Sequence, residues 1–164
     1  MEESITFCLK PNGDAIEKVR EKSCNFLKSY GFPDKTVQEQ IMILKELAKT
    51  CMNYTNFNTP EKKMTVQIHI DENKIIFQVI KPVDEANRND LKKLDKTIQW
   101  IRGYQDPFEA FTKLKEVSKN SYCDKSNGMG LARIAYEGNA ILDFFVSEDN
   151  ILSLLAVRNL KLAE

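Results

Sequence analysis

Two glycines frame one methionine in SNGMGLARIAYEGNA, residues 126–140, directly ahead of residues whose apolar positions recur at helical spacing. Gly128 and Gly130 reach left-handed backbone angles at little cost, and the free N–H groups at a helix start attract an anion. The chemistry this spacing offers is phosphate binding. Lys125 and Arg133 stand near enough in sequence to add positive charge beside a phosphate, or to serve as ordinary solvated surface charges. A glycine pair before a helix also works as a plain turn with no ligand, so both uses stand at this point.

Few other residues offer reactive chemistry. His69 is the single histidine, which excludes a multi-histidine metal site and makes any histidine-based triad depend on one residue. It falls in the polar phase of MTVQIHI, a position that predicts an exposed or locally bonded imidazole. Cys8, Cys24, Cys51 and Cys123 form no C-x-x-C pair and read as reduced, partly buried thiols.

The elements that must position these groups follow from hydrophobic period. In SITFCLK, Ile5, Phe7 and Leu9 alternate with Ser4, Thr6 and Cys8, the pattern of a half-buried strand. Asp14 caps a helix with Ile16, Val19, Phe26 and Leu27 on its apolar face, stopped near Gly31 and Pro33. From Thr36 a second helix carries Val37, Ile41, Leu44, Ala48 and Cys51 as one stripe. MTVQIHI, DENK and IIFQVI make a hairpin. After Pro82 come a helix with Leu91, Leu94, Ile98 and Ile101 as its stripe, and a shorter one with Asp106 as cap and Pro107 first. A polar stretch, NSYCDKSNGMG, precedes a helix at about 129–138, and AILDFFV, SEDN and ILSLLAV close the chain as a second hairpin.

The sum is an α+β fold of one domain, residues 1–164, a two-layer sandwich whose mixed or antiparallel sheet is covered on one face by helices. A composition 42% hydrophobic and 29% charged is that of a soluble globule. The 24 basic residues equal the 24 acidic ones, so the long-range field that gathers nucleic acid or anionic lipid is weak. No apolar run reaches the ~18 residues of a membrane span and the first residues lack a secretory pattern, which predicts a cytoplasmic protein.

This order of elements, with the glycine loop before the last helix and hairpin, resembles the GHKL (histidine kinase-like) ATPase superfamily, and within it the small single-domain anti-sigma-factor serine kinases. The likeness runs from ITFCLKPNGDAIEKVREKSCNFLKSYGF through LLAV. It implies three nucleotide boxes. In the helix box a glutamate acts as base and an asparagine four residues later holds magnesium. LKELAKTCMNY offers Glu46 for the first role, Thr50 at the asparagine position and Asn53 three residues further on as a substitute, unless the three simply form a solvated face. The second box, Asp-x-Gly-x-Gly after a hairpin strand, reads adenine. Here KIIFQVI is followed by KPVDEAN, so Lys81 stands at the aspartate position, with Asp84 or Glu85 as displaced acceptors and no glycine between Gly31 and Gly103. The third box, Gly-x-Gly-leucine, is matched by Gly128, Gly130 and Leu131.

Two of three boxes depart from the pattern. The resemblance then implies a bacterial anti-sigma-factor-like regulator with a degenerate ATP site, acting on a sigma factor or an anti-sigma-factor antagonist and able to form a homodimer, with neither nucleic acid nor membrane as partner. The alternative it implies is an active serine kinase using ATP or ADP with magnesium: Glu46 catalytic; Thr50 and Asn53 on the metal; Asp84, Lys125, Gly128 and Gly130 on the nucleotide. Gly103 and the polar end of the segment 103–127 permit motion, and the sequence leaves open whether that segment closes over a ligand as a lid. A third reading sets the family aside for an unrelated α+β scaffold.

Overall fold

Alternation builds the sheet. In Met64–Ile70 (β2) every second side chain is buried, and the same phase continues through Ile75, Phe77, Val79 and Lys81 of Lys74–Pro82 (β3). A period of two puts those residues on one face, and fully burying each large apolar one contributes roughly 1.5–3 kcal/mol. The remaining elements are β1 (Glu3–Leu9), α1 (Gly13–Tyr30), α2 (Asp34–Tyr54), a short 3-10 turn (Glu85–Asn87), α3 (Arg88–Arg102), α4 (Pro107–Asn120), α5 (Met129–Tyr136), β4 (Ile141–Val146) and β5 (Ile151–Asn159). This computed structural model describes residues 3–10, 13–54, 63–120 and 128–160.

The five strands form one sheet in the order β1-β2-β3-β5-β4, with every neighbouring pair antiparallel. Both hairpins close through Asx and serine chemistry. Asp71 accepts from the N–H groups of Asn73 and Lys74 at 2.8 and 2.9 Å, and Asn150 takes the left-handed angle (φ 59°) that ends the β4–β5 turn. Helices cover one face: α1 against β1, α2 across β3 and β5, α3 and α5 over β4, with α4 packed on α5. This is the two-layer α+β sandwich the periods predict. None of the described helices is long and apolar enough to cross a membrane.

The stripe predicted on α2, Val37, Ile41, Leu44, Ala48 and Cys51, is buried throughout. Ile43 and Leu47, off that stripe, are buried too, because α2 packs on both the sheet and α5. A single helical period marks one buried face, and a central helix has two. Asp106 caps α4 as its spacing predicts, accepting from the Phe108 N–H at 3.0 Å. His69 meets the expectation of a locally bonded residue, with Nδ1 3.5 Å from Ser4 Oγ across the β1–β2 register.

Candidate functional site

The start of α5 is where the glycines do their work. Gly128 is the N-cap residue with φ 72° and ψ 11°, and no side chain caps the helix. The first intrahelical bond runs from Ala132 N–H to the Gly128 carbonyl at 2.9 Å, so the N–H groups of the preceding turn are not used by the helix ladder. Those groups have the directionality that holds a phosphate oxygen.

Packing accounts for both glycines as well. A Cβ on Gly128 would collide with Cγ2 of Thr97 on α3, and one on Gly130 would collide with Oε2 of Glu46 on α2. α5 thus begins in the cleft between α2 and α3, with Glu46 against its first turn. Glu46, Thr50 and Asn53 share one face of α2, within about 60° of arc at 100° per residue. Of these three side chains, Glu46 is the one that meets the glycine segment, at Gly130.

Charge at this point is already engaged. Arg133, one turn into α5, lies 3.5 Å from Glu46 Oε1 and donates from Nε to Glu137 Oε2 at 2.6 Å. The Glu137 carboxylate bonded to it, with a further contribution from Glu46, holds the guanidinium above its ordinary pKa. A phosphate approaching the loop meets the carboxylate of Glu46, whose side chain is 17% exposed, and an arginine neutralised by two acids. Of the two uses the sequence leaves open for Arg133, charge beside a phosphate or an ordinary surface charge, the structure shows a half-exposed guanidinium paired with Glu46 and Glu137.

Thr50 is buried and donates its hydroxyl to the Glu46 carbonyl at 2.8 Å, the back-bond of a threonine to its own helix. Asn53 is exposed on the last turn of α2. One engaged hydroxyl and one exposed amide are a thin set for magnesium, which takes six oxygens in near-octahedral order. Among the described residues no three His, Cys, Asp or Glu side chains gather where they would hold a metal ion.

Lys81, at the aspartate position of the second box, is fully buried on the helix side of β3, in register with Leu152 of β5. Asp84 is an exposed cap. Its Oδ1 accepts from Ala86 N–H at 2.9 Å while Asn87 Oδ1 accepts from Asp84 N–H at 3.0 Å, a reciprocal capping box that opens the 3-10 turn Glu85–Asn87 ahead of α3. Asp84 lines a cleft of about 330 Å³ with Leu91, Lys92, Asp95, Phe144 and Val146, and none of Glu46, Thr50, Asn53, Gly128 or Gly130 borders it. The structure therefore joins Glu46 to Gly130, seats Gly128 against Thr97 and sets Asp84 apart. Lys125 lies outside the described residues, as does most of the polar part of 103–127.

Two features at the sheet edge carry no motif. Arg102 at the end of α3 lies 3.5 Å from Asp143 Oδ1 on β4, and Ile141, Phe145 and Val146 are exposed. The one signal in sequence is an aspartate inside an otherwise apolar strand, ILDFFV, which marks a protected edge.

A five-stranded antiparallel sheet with its helix layer and a glycine-opened α5 defines the class by fold. The chain is similar in fold to a chain in the crystal structure of the SiaB-SiaC complex from Pseudomonas aeruginosa, with a TM-score of 0.74 and 22% identity over 93% of this chain and 88% of that one. No family model matches the chain, and no curated protein does.

Proposed function

We propose that this chain is a regulatory protein of the anti-sigma-factor type, a histidine kinase-like ATPase fold with a degenerate ATP site, that acts by binding a protein partner. The observation that carries this reading is the pairing at the start of α5. Glu46 and Arg133 neutralise each other where a nucleotide would need free positive charge, and Thr50 spends its hydroxyl on its own helix. The SiaB-SiaC structure supports it, because a chain of similar fold there sits in a complex of two proteins. By the resemblance, the partner is a sigma factor or an anti-sigma-factor antagonist.

Calorimetric titration with ATP and ADP, with and without magnesium, tests the site. The expected result is no heat at millimolar nucleotide from folded protein, together with recovery of one such partner by cross-linking in the native cell. Magnesium-dependent binding that disappears in Gly130→Val would overturn the degenerate-site reading.

One observation favours a second reading, an ATP-dependent serine kinase. Glu46 stands beside Gly130, on one helix face with Thr50 and Asn53, where a base and a metal-binding pair would be useful. Phosphoryl transfer rests on positioning and charge neutralisation, so this reading requires transfer of labelled phosphate to the antagonist that Glu46→Ala abolishes.

A further inference from the structure

β4 is an edge strand whose outer side is held shut by one carboxylate. Ser147 N–H donates to the Ile151 carbonyl at 3.0 Å, which fixes the phase of the hairpin. Bonded and non-bonded pairs alternate in an antiparallel ladder, so Ile141, Asp143 and Phe145 turn their backbone groups to β5, and Leu142, Phe144 and Val146 turn theirs outward. The outward Phe144 N–H is not left to solvent. It donates to Asp143 Oδ1 at 2.9 Å, and the same oxygen lies 3.5 Å from Arg102 Nη1. A side chain thus occupies the hydrogen-bonding place that an added strand would take, which is how an edge is protected against unwanted pairing.

Both sides of this latch are hollow. Towards the β4–β5 turn lies the cleft of about 330 Å³ floored by Leu91, Phe144 and Val146. Towards the start of β4 lies one of about 170 Å³ lined by Ile101, Tyr104, Pro107, Ile141 and Leu142. Successive side chains of a strand laid on β4 would alternate between these hollows and the exposed Ile141 and Phe145 of the open face.

We propose that the outer edge of β4 is a strand-addition site for an extended segment of the protein partner, opened when that segment displaces the Asp143 carboxylate from the Phe144 N–H. The proposal rests on the partner-binding reading and deepens it. Charge selects the segment. Asp84, Glu85, Asp95, Glu148 and Asp149 outnumber Arg88 and Lys92 at the turn end, and Arg102 is released at the other end when Asp143 leaves. An antiparallel segment therefore carries basic residues at its amino end and acidic ones at its carboxyl end. A second copy of this chain is the competing occupant, and sedimentation separates it from a partner segment.

The probe is a labelled synthetic dodecapeptide with lysines first, alternating valine and threonine, and glutamates last, beside its scrambled control. Binding is read by fluorescence anisotropy and by the backbone amide resonances of the intact chain. The expected result is a shift of the Phe144 amide, affinity raised about five-fold in Asp143→Ala, and affinity lowered about five-fold in Val146→Pro, which deletes an outward N–H on an exposed residue. An unmoved Phe144 amide, or equal affinity in all three proteins, would overturn the site. So would a dimer in sedimentation that Val146→Pro dissolves, which assigns the edge to a second copy. A native partner that binds wild type and Val146→Pro equally overturns the docking site and leaves partner binding intact. The expected peptide pattern with no native partner recovered supports the edge chemistry and removes the partner-binding reading.

Discussion

Glu46 is the residue that gives the α5 start its character, and the three glycines around α5 show how. A Cβ at 138 would stand 2.5 Å from the Ile134 carbonyl oxygen and 2.6 Å from Ile43 Cγ1, both held by helices. At 128 the obstacle is the stiff Thr97 side chain, with an added cost for the left-handed angle. At 130 it is the far end of a flexible glutamate. Urea unfolding should therefore rank the alanine variants, with Gly138→Ala losing about 3 kcal/mol, Gly128→Ala about 2 and Gly130→Ala under about 1. Gly130→Ala should instead loosen Glu46 from Arg133, seen in the Arg133 side-chain resonances. A second residue prediction concerns acid. Backbone N–H groups, that of Asn73 first and then Lys74, hold the Asp71 carboxyl below its usual value. A lowered folded pKa gives stability that is present above the ordinary carboxylate value of about 3.9 and lost as pH falls through the lowered one. The deficit of Asp71→Ala against wild type should be constant from pH 7 to about 5 and vanish at lower pH, as followed by Tm.

α4 depends on its first turn more than its neighbours do. It packs on α5 through Phe108 and Phe111 against Tyr136, with ring centroids 5.1 and 5.3 Å apart, and Phe108 stays half exposed. With so little burial at its start, the Asp106 cap carries weight, and Asp106→Ala should cost about 1 kcal/mol by urea unfolding, with faster amide exchange confined to α4. Elements of this kind were legible in the sequence. Each strand and helix announced its period, and Asp106-Pro107 and SEDN announced their boundaries. The second buried face of α2 was not legible, because Ile43 and Leu47 become core only when α5 crosses them. The site was half legible. Gly-x-Gly ahead of a helix marked the α5 start, but the ion pairs that neutralise Arg133 and the latch from Arg102 to Asp143 join elements far apart in sequence. No local spacing encodes such meetings.

At the scale of the whole molecule, the seam between the helix layer and the sheet is apolar along most of its length and polar at Lys81 on β3 and again at the far end of that ladder. There α2 begins and β5 ends. Arg158 pairs with Glu39 at 2.7 Å, and among the described residues neither its Nη1 nor either amide atom of the fully buried Gln40 has a hydrogen-bond partner. A buried amide without partners costs about 1–3 kcal/mol, and a replacement of equal shape with no polar atoms recovers that. Gln40→Met should therefore raise the unfolding free energy by about 1 kcal/mol or more and Tm by about 2–4 °C, with an unchanged urea m-value. Arg158→Met should do the opposite, since it strands Glu39, a residue with a 29% exposed side chain. If Gln40→Met were destabilising instead, the amide would have to be bonded through an internal water, which needs two to four polar partners in a roomy site. The seam would then be a hydrated one at the end away from α5's first turn, held by the same polar residues that now look unsatisfied.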